Sequence, residues 1–195
     1  RQTSYAYDTL GNLVTVTDPA GHTTTYAYDE LNQVVKVTDH LNNDTTFEYD
    51  ELGNLSARTD PNLNTTAFGY DSVNRLVSAI DAKEQQTGYE YDAGGNLKRI
   101  VDANANDAVR NTFDASGRLH TTKDALEHTT VMTYTPAGRL ASRQDARGNS
   151  SAHAYQPLTG RLATITYEGG RTETFTYDLS GNILSIADPS TGVTV

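Results

Sequence analysis

Aromatic rings followed by a carboxylate recur along this chain at a nearly constant interval, and carboxylates in pairs are the groups that carry general acid–base chemistry. The dyad stands as Tyr7-Asp8, Tyr28-Asp29, Tyr49-Asp50, Tyr70-Asp71 and Tyr91-Asp92, each 21 residues after the last. It continues in phase as Phe113-Asp114, Tyr134-Thr135, Tyr155-Gln156 and Tyr177-Asp178, with steps of 22, 21, 21 and 22 residues. A catalytic carboxylate is set apart from its like by its surroundings. Here every repeat supplies the same acid, so these side chains are expected to shape turns. No catalytic residue and no cofactor-binding residue is assigned, and the chain is not expected to be an enzyme.

Other chemical candidates are weaker still. The run Asp102-Ala103-Asn104-Ala105-Asn106-Asp107 has the opening of a calcium loop, but such a loop needs Gly at its sixth position and Glu at its twelfth, where this chain has Asp107 and Phe113. Because it lies in a 22-residue step, an enlarged turn is the expectation there. The histidines His22, His40, His120, His128 and His153 show no metal-ligand spacing, so no metal site is assigned and solvated surface is expected. Gly94-Gly95-Asn96 and Gly169-Gly170 lack the Gly-Lys continuation of a phosphate loop and read as hairpin turns. No serine sits in a nucleophile elbow.

Composition narrows the remaining classes. A net charge of −10 with scattered basic residues disfavours nucleic acid and anionic membranes as partners. The absence of cysteine rules out a disulfide framework and a thiolate metal site. No apolar run approaches the roughly 20 residues of a membrane helix. A hydrophobic content of 36% argues against a large dry core, while 12 Tyr together with many Thr and Val favour pleated, half-buried strands. There is no signal peptide, and Arg1 in place of Met points to a fragment excised from a larger protein.

A fixed period of this length marks one supersecondary unit stacked into an array. Within a repeat, Thr24, Tyr26 and Tyr28 alternate with Thr25 and Ala27, the pattern of a strand with two unlike faces. A second strand is expected to begin at Leu13, Val34, Leu55, Leu76, Leu97, Leu119, Leu140, Leu162 and Ile183, and to end near a second acid such as Asp18, Asp39 or Asp60. Between the two strands stand Gly11, Asn32, Gly53, Asn74, Gly95, Gly117, Gly138 and Gly181, types that tolerate the positive φ of a tight reversal. At Gln156 the Gly is delayed by one position, to Gly160, and a 22-residue step follows. The opposite turn reads Asp18-Pro19-Ala20-Gly21, with Asp60-Pro61 and Asp188-Pro189 as relatives, in which Pro presets a type I or II turn.

The expected fold is therefore all-β: nine repeats of about 21 residues, some eighteen short strands in consecutive antiparallel hairpins, in one long twisted and curved sheet. Residues 1–195 are read as a single array. The aromatic two positions before the dyad ring becomes Asn111, Met132 and His153 in the sixth to eighth repeats, which predicts a weaker or more exposed stretch there. The isolated chain is expected to be a monomer with two free edge strands, fraying first at its ends.

The series Tyr7-Asp8-Thr9-Leu10-Gly11-Asn12-Leu13, Thr17-Asp18-Pro19-Ala20-Gly21 and Thr24-Thr25-Tyr26-Ala27-Tyr28-Asp29 resembles the YD repeats of the Rhs family. That family includes bacterial Rhs polymorphic toxins, shell subunits of Tc toxins, wall-associated contact-dependent toxins and animal teneurins. The resemblance covers residues 3 to 190, and the clean Gly-Asn-Leu repeats look bacterial. It implies a secreted or cell-surface scaffold: a strip of hairpins that, in toxin members, encloses a C-terminal toxic domain. The implied partners are then the rest of the same polypeptide, namely further repeats and that domain. A second reading, from a different class, is an adhesion module whose aromatic rows stack on glycans. Cross-strand packing accounts for the same rows and is preferred.

Overall fold

The computed structural model describes residues 2–188 and 193–194, and the turn expected at Asp188-Pro189 lies outside them. Each strand begins and ends where the repeat places its marks. The dyad ring is the last residue of every odd-numbered strand through the seventeenth, and the recurrent Leu, Val or Ile is the first residue of every even-numbered one through the eighteenth.

The chain divides into two compact units, residues 1–89 with 101–105 and residues 90–100 with 106–195. The first is built from β1 (Ser4–Tyr7), β2 (Leu13–Thr17), β3 (Thr23–Tyr28), β4 (Val34–Thr38), β5 (Asp44–Tyr49), β6 (Leu55–Thr59), β7 (Thr65–Tyr70), β8 (Leu76–Ile80) and the start of β9 (Gln86–Tyr91). Each strand from β1 to β8 pairs antiparallel with the next in sequence. After β10 (Leu97–Val101), the second unit continues with β11 (Asp107–Phe113), β12 (Leu119–Asp124), β13 (Thr129–Tyr134), β14 (Leu140–Gln144) and β15 (Ser150–Tyr155). It closes with β16 (Leu162–Tyr167), β17 (Thr172–Tyr177), β18 (Ile183–Asp188) and the two-residue β19 (Val193–Thr194). From β11 onward the pairing is again antiparallel and sequential. The fold is the expected all-β array of consecutive hairpins, interrupted among the described residues only by a 3-10 turn at Glu168–Gly170.

The two kinds of hairpin differ in register. Across the hairpins closed by the dyad turn, pairing slips by one residue just before the ring: Ala27 faces Lys36, yet Tyr28 faces Val34. Such a bulge inserts one unpaired residue and increases local twist. The alternate hairpins are regular, with Thr15 opposite Thr25 and Thr17 opposite Thr23. Paired residues share a face, so Tyr26 and Val37 lie on one side of the sheet while Thr25 and Thr38 lie on the other.

No described residue is buried in the sense of a core; most strand rings and aliphatic side chains are half-buried in a single layer, while Tyr5, Tyr7 and turn leucines such as Leu10 and Leu63 are exposed. The sixth to eighth repeats are not more exposed at the positions where their sequence turns polar. Asn111, Met132 and His153 are half-buried like the rings they replace. The 22-residue step around residue 102 is also accommodated differently from expectation. Asp102 to Ala105 form an ordinary turn, with the Ala105 N–H donating to the Asp102 carbonyl at 3.0 Å. The extra residue is absorbed by β11, which has seven residues where the equivalent strands have six or fewer. A ladder strand can lengthen without altering its turn, and the turn at Asp102 keeps its usual hydrogen bond.

Candidate functional site

The recurring acids occupy the turns, where each acts as a clasp. In the first dyad turn the Gly11 N–H donates to the Asp8 carbonyl at 3.2 Å, and the Asp8 N–H to the Asn12 carbonyl at 2.9 Å. This is a type I turn followed by a left-handed residue, the usual three-residue hairpin loop. The Asp8 side chain completes it. Its Oδ1 accepts the Leu10 N–H at 2.9 Å and the Asn12 N–H at 2.8 Å, and its Oδ2 accepts the Asn12 side-chain amide at 3.0 Å. Asp29, Asp50, Asp71 and Asp114 accept the same two backbone N–H groups in their own turns. Asp92 and Asp178 accept the N–H four residues on.

The opposite turns use the same construction. Asp18 accepts the Ala20 and His22 N–H groups through Oδ1, and its Oδ2 lies 3.0 Å from Nδ1 of His22. Asp39, Asp60, Asp81, Asp124 and Asp145 repeat the double backbone bond. The 21-residue repeat therefore contains two nearly equivalent turns. Sequence reasoning found the left-handed position in the first kind, at Gly11, Asn32, Gly53, Asn74, Gly95, Gly117 and Gly181, all of which have positive φ. It missed the second kind because the residues there include Leu63, Glu84, Ala105 and Glu127, at φ between 62° and 66°. Their side chains carry no signal for that conformation. The signal lies in the Asp three positions earlier.

In the turns of Asp8, Asp18, Asp39, Asp50, Asp60, Asp71, Asp92, Asp114, Asp145 and Asp178 these bonds hold the carboxyl below the ordinary carboxylate range. For Asp8 the largest cause is the Asn12 backbone N–H, followed by the Asn12 side chain; for Asp50 the order is reversed, with the Asn54 amide first. Carboxylates so engaged stay ionised and bonded at neutral pH, and have no proton to give. Where the acid is replaced the turn survives: Thr135 Oγ1 accepts the Arg139 N–H at 3.2 Å. At Gln156 the loop widens by one residue and Gly160, with φ of 70°, closes it.

The dyad tyrosines bind the repeats together. The Tyr28 hydroxyl donates to the Leu13 carbonyl at 2.8 Å, the Tyr49 hydroxyl to Val34 at 2.9 Å and the Tyr70 hydroxyl to Leu55 at 3.1 Å. In the second unit Tyr134, Tyr155 and Tyr177 reach Leu119, Leu140 and Leu162 in the same way. Each ring thus reaches back to the first residue of the even-numbered strand in the preceding repeat. Phe113 has no hydroxyl, and there Asn111 Nδ2 takes over, donating to the Leu97 carbonyl at 2.9 Å. The polar letter that looked like decay is the substitute donor.

Along the dyad-turn edge a second set of links runs from turn to turn. Asn12 donates to the Asn32 side-chain oxygen, Gln33 to the Gly53 carbonyl and Asn54 to the Asn74 side-chain oxygen, at 2.9, 3.2 and 3.2 Å. In the second unit arginines replace the amides. Arg118 and Arg161 donate to the carbonyls of Thr135 and Asp178 while their guanidinium groups lie 4.6 and 5.5 Å from the ring centroids of Tyr134 and Tyr177. Among the described residues no cluster of three or more His, Asp or Glu side chains is arranged around a metal position. No helix among them is long and apolar enough to cross a membrane.

A chain of hairpins in which most turns are clasped by their own acid and tyrosine hydroxyls bond successive repeats within each unit defines a tandem-repeat β-array. The RHS Repeat family model matches residues 1–23, 7–39, 28–65, 70–107, 113–150 and 158–193, and the chain belongs to that family. No curated protein matches it. Among solved structures it is similar to the one described as TcdB2-TccC3-TEV, with a TM-score of 0.73 and 17% identity over 96% of this chain and 11% of that one. TcdB2-TccC3 without its hypervariable C-terminal region gives a TM-score of 0.60 at 17% identity, covering 96% of this chain and 12% of the other. The chain spans about a tenth of the length of these structures. At this identity the likeness concerns the fold.

Proposed function

We propose that this array is a structural segment of the β-strip that encloses or presents a C-terminal toxin domain in a secreted bacterial Rhs-type protein. The observation that carries the reading is where the polar groups point. The dyad acids are closed on their own turns and the dyad hydroxyls on the preceding repeat, which leaves the conspicuous residues of the sequence holding the sheet together. The same engagement removes these hydroxyls as hydrogen-bond donors to a sugar, which weakens the adhesion reading while leaving ring stacking to the test below. The partners under this proposal are further repeats and the enclosed domain of the same polypeptide.

The test uses the intact parent protein. Limited proteolysis should leave its C-terminal domain protected, and Tyr→Phe changes at residues 28, 49 and 70 together should make that domain cleavable. A C-terminal domain digested at equal rates with and without those changes rules out a role for this segment in enclosure. For the array itself, saturable binding to a glycan array, lost when exposed tyrosines are replaced, would favour adhesion instead.

A further inference from the structure

Two histidines 18 residues apart in sequence meet at the edge of the first unit. His22 follows the left-handed residue of the turn between β2 and β3, and His40 follows Asp39 in the turn between β4 and β5. Their ring centroids lie 4.4 Å apart with planes inclined at 40°. Both rings are exposed and border a cleft of about 330 Å³ whose floor includes Thr23, Thr25 and Thr38. His22 is also oriented: its Nδ1 lies 3.0 Å from Asp18 Oδ2, so the ring donates there and keeps Nε2 as its lone-pair nitrogen.

We propose that His22 and His40 form a two-histidine chelate for a borderline divalent transition ion such as nickel, copper or zinc, with water completing the coordination. A carboxylate that fixes the far nitrogen of a ligating imidazole is the usual outer support of such sites. The ring separation also fits. A metal about 2.0–2.1 Å from each nitrogen stands about 3.2 Å from each ring centroid, and a nitrogen–metal–nitrogen angle of about 90°, that of square-planar or octahedral coordination, puts the two centroids about 4.5 Å apart. Imidazole nitrogen is a ligand these metals favour, whereas calcium and magnesium prefer oxygen. No sequence spacing announces this site, because the fold brings together positions that belong to successive repeats.

Repeat symmetry supplies a test that loss of folding cannot imitate. In the second unit His128 occupies the position of His22, with Nδ1 3.0 Å from Asp124 Oδ2. The position of His40 is taken by Ala146, which is exposed and borders the same cleft as His128. Calorimetric titration of the tag-free chain with nickel chloride should show one saturable site, with imidazole proton resonances of His22 and His40 shifting together. His40→Ala should abolish it, and Asp18→Asn should weaken it about tenfold or more while circular dichroism stays unchanged. Ala146→His should create a second site. Titration heats indistinguishable from buffer, binding that survives His40→Ala, or an Ala146→His variant that folds and still binds one equivalent would each overturn the proposal.

Discussion

At the scale of single residues, backbone conformation separates positions that look alike. Gly11 and Leu63 both stand three residues after a clasping Asp, and both have positive φ, 88° and 64°. A Cβ added at Gly11 meets nothing within 4 Å, so its replacement isolates the conformational cost. Gly11→Ala should destabilise by about 1–2 kcal/mol, the penalty of a left-handed residue with a side chain. Leu63 is the converse case. Its side chain is 84% exposed and contributes almost no packing, so Leu63→Gly releases that penalty against about 0.4–1 kcal/mol of added chain entropy in the unfolded state. The net is a gain of about 0.5–1 kcal/mol, read from urea midpoints; a loss would mean that the exposed leucine is held by contacts this turn does not show. His153 is the other residue out of step with its place. Its Nδ1 is enclosed without a hydrogen-bond partner at a position that holds Phe or Tyr in six of the nine repeats. His153→Phe should stabilise by about 1 kcal/mol through removal of that unpaired group, and an unchanged melting temperature would argue that the nitrogen is solvated.

At the scale of strands and turns, each hairpin is weak alone and depends on the bond to its predecessor. Tyr49→Phe removes a donor 2.9 Å from the Val34 carbonyl and should cost about 0.5–1.5 kcal/mol. Asn111→Ala should cost as much, because Asn111 serves the equivalent carbonyl of Leu97, whereas Phe113→Tyr should gain nothing there. Equal effects of Tyr49→Phe and Phe113→Tyr on urea midpoints would exclude this division of labour. The strand limits were legible because two residue types coincide at them. An aromatic ends one strand and a branched aliphatic opens the next, and both occupy the half-buried face of a pleated sheet. What could not be read has a common physical cause. The hydroxyl-to-carbonyl bonds join residues 15 apart in separate repeats, and their acceptor is backbone, which has no letter. The register slip before each dyad ring is likewise a property of pairing. The left-handed residues of the alternate turns escaped because Leu63 and Glu84 are imposed on by the neighbouring Asp and do not favour the conformation themselves. For the same reason the two histidines read as separate surface residues until the stacking of turns placed His22 against His40.

At the scale of the whole molecule, stability has to accumulate from repeated small terms, since no described residue forms a buried core. In an array of this kind each repeat contributes its own folding energy and an interface with its neighbours. One term recurs in nearly every turn and has a defined pH dependence. Ten turn carboxyls, from Asp8 to Asp178, are held below their ordinary range, and in each the largest cause is the residue four positions on, through its backbone N–H or its side chain. A lowered folded-state pKa means that the unfolded chain takes up protons first as acid is added. The stabilisation is therefore fully present above the unfolded value of about 3.9 and is lost as pH falls through the lowered folded values. A core-based protein distributes such losses over a few groups, but here these ten turns weaken in the same narrow window. Sheet content followed by circular dichroism should stay level from neutrality to about pH 5 and then fall steeply below about pH 4. Replacing several clasping acids by Asn, which keeps an acceptor oxygen but does not titrate, should lower stability at neutral pH and flatten the acid limb. A wild-type array whose midpoint in urea is the same at about pH 3 as at neutrality would show that the aspartate bonds do not hold the turns.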